Sequence, residues 1–408
     1  MTAHIDAPSN APSNAPVNAR PVLDASALRL ALFTDTYAPQ VNGVARTLER
    51  LVRAVEERGG TARVFTIDDP DVAAAITAPA PRTSVLRYPS VPFWAYEQLR
   101  MAWPSAGRVR RDLADFAPTL VHAATEFGVG LAGRSAARSL GVPFVSSYHT
   151  SFTAYAKYYR LGALARPGWA FLRWFHNGGL RTYCPTQSIV DEVNAQGFAN
   201  TTVWSRGVDV SRFSPTYRSA AVRDAMGATD DTLVIAYVGR LAAEKGLDVG
   251  LEAVRRAVAA RPGRVRFAAV GDGPYASEVR RLAPPDSWLP GALGGDALSA
   301  AYASADVFLF PSVTDTFGNV LLEAMASGVP VVGVDVGPTR EQLLPDRGWV
   351  VAPGDPQPMA NALIALVDDR DRLARARTAA LAFAAYKTWD VVWDALIADY
   401  LRLQARTV

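Results

Sequence analysis

The sequence predicts an α/β protein built from two doubly wound parallel sheets. Short, uniformly apolar runs that read as strands buried on both faces alternate with stretches of helical periodicity, and the chain passes through such a series twice. At 408 residues, and about 150 residues per domain, the length suits two or three domains with their own cores.

Residues 1–26 come first and are low in complexity. Ala7-Pro8-Ser9-Asn10 repeats as Ala11-Pro12-Ser13-Asn14 and, imperfectly, as Ala15-Pro16-Val17-Asn18. So little apolar bulk predicts a disordered tail. Leu28–Phe33, Arg63–Ile67, Leu120–Ala123 and Pro143–Ser147 then read as the strands of a first domain, residues 27–206. Between the first two, Val44, Leu48, Leu51, Val52 and Val55 share one helical face, and Gly59-Gly60 stops the helix. Gly207, Pro215 and short polar residues break the pattern over 205–218. The second series, in residues 207–387, has strands at Leu233–Val238, Val265–Val270, Val307–Phe310 and Pro330–Val334. Its helices are predicted near Lys245–Ala260 and Asn319–Ser327. A last helix in 388–408, with Trp389, Trp393, Leu396, Ile397 and Tyr400, is expected to cross back onto the first domain.

Composition excludes several classes. Arg and Lys number 42 against 39 acids, a formal charge of +3, too small for a dedicated nucleic-acid binder. One cysteine, Cys184, rules out a disulfide framework and any Cys-rich metal site. No 18-residue uncharged apolar run spans a membrane, and the N-terminus lacks a charged-then-apolar leader, so a cytoplasmic location is expected. Only Lys157, Lys245 and Lys387 are lysines, which makes each more informative.

Two clusters suit phosphate. In Gly239-Arg240-Leu241-Ala242-Ala243-Glu244-Lys245 a strand ends in glycine, with an Arg next and a Lys five residues later. Ligands of open α/β sheets bind at the carboxyl ends of strands, where a fork-shaped guanidinium and an ammonium neutralise a diphosphate. The plain alternative is two solvated cations. In Pro311–Met325 a polar loop containing Asp315 leads into a helix opening near Gly318-Asn319, whose amides suit an anion. Asp315 and, eight residues on, Glu323 are placed to accept from hydroxyls flanking the diphosphate; alternatively they are a helix cap and a surface residue. Two glycine fingerprints are decoys. Gly128-Val129-Gly130-Leu131-Ala132-Gly133 has no acid between Glu126 and Asp191 to hold a ribose. Gly271-Asp272-Gly273-Pro274-Tyr275-Ala276 opens the second strand–helix unit, not the first; Gly271 and Gly273 there let backbone approach a nucleotide or close a tight turn. Asp69-Pro70-Asp71 and Asp368-Asp369-Arg370-Asp371 read as solvated surface, not metal sites.

With these clusters the chain, from Leu28 to its end, resembles the retaining family-4 glycosyltransferases of GT-B architecture. The resemblance implies two Rossmann-like domains facing each other across a cleft. Asp315 and Glu323 match the family's paired acids, which have seven residues between them, with Asp in place of the first Glu. Arg240 and Lys245 match its diphosphate pair, and Gly207-Val208-Asp209 with Phe213-Ser214-Pro215 matches its entry to the second domain. Val336-Gly337-Pro338-Thr339-Arg340-Glu341 departs from the family's Gly-Gly. The segment Phe33-Thr34-Asp35-Thr36-Tyr37-Ala38-Pro39-Gln40-Val41-Asn42-Gly43-Val44 is similar to the opening of GDP-mannose-dependent α-mannosyltransferases and sulfoquinovosyl diacylglycerol synthases. By that likeness Gly43 approaches the donor phosphate or acceptor, Asp35, Tyr37 and Asn42 lie on the acceptor side, and His149, in Ser147-Tyr148-His149-Thr150, touches the donor sugar. The resemblance implies transfer of a hexose, mannose from GDP-mannose, to a lipid or glycan hydroxyl with retention, with fixed cations in place of a required metal and no cofactor. A UDP-sugar glycolipid synthase, a GT-B-like epimerase or phosphorylase, and a non-catalytic nucleotide-sugar binder remain alternatives. Residues 127–190 carry no acid but seven cations interleaved with aromatics. That mixture suits an anionic membrane surface, at the inner face of the plasma membrane, as well as it suits a helix packed on its own domain.

Overall fold

The computed structural model describes residues 23–40, 42–69, 84–93, 96–149 and 165–406. The first sheet contains β1 (Arg29–Phe33), β2 (Thr61–Ile67) and β3 (Ser84–Tyr88). A two-stranded antiparallel ribbon follows, β4 (Val91–Phe93) with β5 (Tyr96–Met101). The sheet continues through β6 (Leu120–Ala123), β7 (Phe144–Ser147), β8 (Arg181–Cys184) and β9 (Thr201–Val203). Its order is β3-β2-β1-β6-β7-β8-β9, parallel throughout. The second sheet contains β10 (Leu233–Val238), β11 (Val265–Val270), β12 (Trp288–Gly291), β13 (Val307–Phe310), β14 (Val331–Val334) and β15 (Gly348–Val351). Its order is β12-β11-β10-β13-β14-β15, again all parallel. Each sheet reverses its winding once, between β1 and β6 and between β10 and β13. Loops diverge at those switch points, and open α/β sheets bind ligands there.

Helices cover both sheets. Gly43–Glu57 buries Leu48, Leu51, Val52 and Val55, as the periodicity predicts. Gly128–Leu140 explains the first glycine fingerprint by packing. A Cβ on Gly133 would lie 2.4 Å from the Phe33 ring, and one on Gly130 only 1.7 Å from the Thr125 carbonyl oxygen. The glycines therefore seat the helix on β1. The amide of Val129, which a dinucleotide phosphate would need, donates instead to Asp35 Oδ1 at 3.0 Å.

The final helix, Trp389–Ala405, packs on the first sheet: Trp393, Leu396, Ile397, Tyr400 and Leu403 join one core with Leu30, Leu32, Leu51 and Val55. Tyr400 reaches the wholly buried His122, its hydroxyl 2.7 Å from Nδ1. Tyr183 donates to Asp399 at 2.8 Å.

Two expectations are corrected here. The tail was expected to run to residue 26, but Ala25 is fully buried and its amide donates to the Arg58 carbonyl at 2.7 Å, so 23–26 belong to the first core. The helix expected from Lys245 begins at Leu247. A 3₁₀ turn, Ala243–Lys245, precedes it, and Gly246 between them is left-handed (φ 65°), where a Cβ would sit 2.6 Å from the Pro311 carbonyl oxygen. That close approach presses the loop after β10 onto the loop after β13.

Candidate functional site

The two loops pressed together at Gly246 carry the expected phosphate and hydroxyl ligands. Lys245 Nζ donates to both carboxylate oxygens of Asp315, at 2.8 and 2.9 Å, and both side chains are about three-quarters buried. Asp315 is thus a partner of the lysine and not the cap of the next helix. Arg240 stands at the carboxyl end of β10, where one terminal nitrogen donates to Glu244 at 3.2 Å.

Helix Asn319–Ala326 opens at Gly318, left-handed at φ 77°, where a Cβ would press on the Phe310 ring at 2.9 Å. No side chain caps this helix. Its first-turn amides therefore present partial positive charge beside Lys245 and Asp315. Glu323, one turn on, is no surface residue. Tyr302 donates to its Oε2 at 2.8 Å, and burial raises its pKa against the opposing pull of that bond and of Arg50, Arg46 and Arg212.

The first sheet meets this loop from the other side. A Cβ on Gly43, first residue of its helix, would lie 3.9 Å from Asn319 Nδ2, so two helix starts face each other across the cleft. Thr316 Oγ1 donates to the His149 carbonyl at 3.0 Å, tying the end of β7 to the loop after β13. Glu341 spans the domains further out, accepting from the amides of Gln187 and Ser188 at 3.1 Å each. His149 and Gly43 are thus brought to Asn319 and the Asp315 loop.

The remaining predicted residues have internal duties. Asp35 accepts from Val129 N and from Thr125 Oγ1 at 2.7 Å, and burial pushes its pKa up to about 6 against those bonds. Asn42 caps its helix, accepting from Ala45 N at 2.8 Å, while Tyr37 is buried in the first core. Gly271 and Gly273 make room for backbone: a Cβ would lie 1.9 Å from the Gly239 oxygen and 2.3 Å from the Leu241 oxygen. The approach seen there joins the loop after β11 to the loop after β10. The acidic decoys resolve as contacts. Asp69 accepts from Gln40 at 3.0 Å, Asp368 pairs with Arg261 and Arg264, and Asp71 lies outside the described residues. Among the described residues no cluster of three or more His, Cys, Asp or Glu could hold a metal, and no helix is long and apolar enough to cross a membrane.

Sequence reasoning missed Arg206, whose guanidinium lies 2.9 Å from His149 Nδ1. Their separation of 57 positions hides the pair in the sequence; its one signal is the position of Arg206 directly before Gly207-Val208-Asp209.

Residues 41–212 match the family described as Glycosyltransferase Family 4, and residues 232–369 match Glycosyl transferases group 1. A GDP-mannose-dependent alpha-mannosyltransferase of Mycobacterium tuberculosis (strain CDC 1551 / Oshkosh) is 34% identical over 93% of this chain and 98% of its own. The chain belongs to glycosyltransferase family 4. Sulfoquinovosyl transferase SQD2 of Arabidopsis thaliana is 30% identical over 86% of this chain and 70% of its own. Among solved structures, sucrose-phosphate synthase from Thermosynechococcus elongatus superposes with a TM-score of 0.74 at 17% identity, over 93% of this chain and all of that one. That likeness establishes the GT-B fold for this glycosyltransferase.

Proposed function

We propose that this glycosyltransferase moves mannose from GDP-mannose to a hydroxyl of a lipid or glycolipid, with retention at the anomeric carbon. The observation that carries the reading is the meeting of Lys245 and the uncapped start of helix 319–326 at the β10/β13 switch point, opposite Gly43, with Arg240 at the carboxyl end of β10. The name and near-full-length match of the mycobacterial relative support the donor. The names of other relatives, among them an alpha-monoglucosyldiacylglycerol synthase, support a lipid acceptor.

In this reading Arg240, Lys245 and the helix amides neutralise the diphosphate as it departs, which is the step that accumulates charge. Lys245 has three protons and gives two to Asp315, leaving one for a phosphate oxygen. Gly43 and Asn319 bracket the phosphates, Glu323 accepts from the ribose, and Asp315 and His149 orient the sugar. The bond from the anomeric carbon to the diphosphate breaks, the acceptor oxygen takes its place on the same face, and the acceptor proton passes to the leaving phosphate. Positive charge from side chains serves where other transferases use a divalent ion, so EDTA is expected to leave turnover unchanged. Asp35 and Tyr37, both buried, and Asn42, the exposed cap of helix 43–57, shape the acceptor side.

The surface near helix Ala165–Asn177 supports contact with anionic membrane from the cytoplasmic side. Phe127 and Trp174 are about half exposed and linked through Phe171, with Arg134 over Trp174 and Arg166 and Arg173 exposed nearby. Elsewhere in the basic aromatic stretch Trp169 and Phe175 are buried and Arg181 pairs with Asp399, while Tyr155, Lys157, Tyr158, Tyr159 and Arg160 lie outside the described residues. Co-sedimentation with anionic but not neutral vesicles is the expected result.

The deciding experiment supplies purified enzyme with radiolabelled GDP-mannose, UDP-glucose or UDP-sulfoquinovose, together with diacylglycerol-based glycolipid acceptors. Labelled lipid from GDP-mannose is expected; product from a UDP-sugar alone would replace the donor, and binding without transfer would mark a non-catalytic protein.

A further inference from the structure

We infer that Arg206 is a positioning residue that fixes the tautomer of His149, leaving Nε2 as the ring's N–H donor for the ligand. The inference rests on the proposal that His149 touches the donor sugar. Arg206 Nη2 approaches His149 Nδ1 at 2.9 Å. A guanidinium only donates, so Nδ1 must be the bare acceptor and the single ring proton sits on Nε2. That Nε2 is buried and meets no partner among the described residues. Buried donors are rarely left unsatisfied, and an oxygen of the substrate supplies what the protein does not.

The guanidinium is itself built in. Arg206 is 6% exposed, donates from Nη1 to the carbonyls of Trp204 and Ser205 at 2.8 and 3.3 Å, and stacks over the Trp204 ring at 4.7 Å. The same indole meets the His149 ring edge-on at 5.5 Å. No carboxylate offsets this cation among the groups that act on it, and burial lowers its pKa to about 10. Its charge therefore opposes a second proton on the imidazole. His122 on β6 and His176 on helix 165–177 act the same way, and burial adds the largest push, so His149 is held well below its ordinary pKa. Both effects favour the neutral ring, which has one donor.

The test reads the imidazole nitrogens directly. The full chain has four histidines, His4, His122, His149 and His176, so ¹⁵N spectra compared with a His149→Asn variant identify the ring. The wild type is expected to carry its proton on Nε2 alone from acid to neutral pH. Arg206→Met should mix the two tautomers and add an acid limb to the pH profile of kcat/KM. Its loss of about ten- to a hundredfold, the range for partners that orient a functional histidine, should fall mainly on kcat; Arg206→Lys should restore part of it. A wild-type proton on Nδ1, or an Arg206→Met spectrum and pH profile identical to wild type, would overturn the inference, and the first needs no variant to fold. Unchanged turnover in His149→Ala would instead remove the sugar contact while leaving the tautomer result in place.

Discussion

Lys245 and Asp315 hold each other at 2.8 Å, so under the proposed function a diphosphate would compete with a carboxylate for the same ammonium. Removing each partner has a different consequence. Lys245→Ala should lower kcat/KM by about 10² to 10³, as the loss of a fixed donor to a developing anion does. Asp315→Asn should tighten binding of GDP by up to about fivefold, since a partly exposed ion pair contributes about 1 kcal/mol or less. The same substitution should still lower kcat. Calorimetric GDP binding beside steady-state rates separates the two effects, and weaker GDP binding by Asp315→Asn would refute the competition.

Asp35 gives a residue-scale prediction in pH. Its carboxyl titrates near 6 in the fold against an ordinary value of 3.8. Between those values the folded chain still holds a proton that the unfolded chain has released. Stability from this group therefore falls as pH rises from about 4 to 6, by about 3 kcal/mol at 1.4 kcal/mol per pKa unit. Asp35→Asn should lack that fall. Denaturant titrations of both proteins across the window check it, and parallel profiles would show the carboxyl to be unshifted.

At the scale of elements, the glycine-seated helix 128–140 reverses a common rule. Gly→Ala inside a helix usually gains about 1 kcal/mol. Here a methyl on Gly133 meets the Phe33 ring, so Gly133→Ala should lose about 1–3 kcal/mol, the usual range for overpacking, read as a lower Tm. The same scale shows what the sequence could reveal. The eight strands read from apolar runs are all interior, and β1, β6, β7, β10, β13 and β14 are buried almost end to end. The strands it missed include the four sheet edges, β3, β9, β12 and β15, which are mostly part-exposed and so lack a continuous apolar signal. In the site, Arg240, Lys245, Asp315 and Glu323 were legible because a loop and the following helix turn set their spacing. The bonds Lys245–Asp315, Tyr302–Glu323 and Arg206–His149 were not, since each joins residues 21 to 70 positions apart through tertiary packing.

For the whole molecule, the first core depends on the last helix. Trp393, Leu396, Ile397 and Tyr400 sit among residues of β1 and helix 43–57, and the buried His122 takes its Nδ1 partner from Tyr400. Residues 23–206 alone should therefore aggregate, and joining 388–408 to them through a flexible linker should restore a cooperative melt. A well-folded 23–206 fragment would contradict this account of the core. Tyr400→Phe in the full chain should cost about 1–3 kcal/mol by stranding the imidazole.

The two strands that pass between the domains run side by side. Val208 N donates to the Lys387 carbonyl at 2.7 Å, and a Cβ on Gly207 would lie 2.6 Å from the Trp389 backbone. The polypeptide therefore leaves one lobe and re-enters it at almost the same point, which makes residues 209–387 a cassette with neighbouring ends. Grafting that cassette from a homologue with another sugar nucleotide should exchange the donor while the recipient half keeps its own acceptor. Diversification by exchange of halves needs no new hinge, because both cuts fall at one seam.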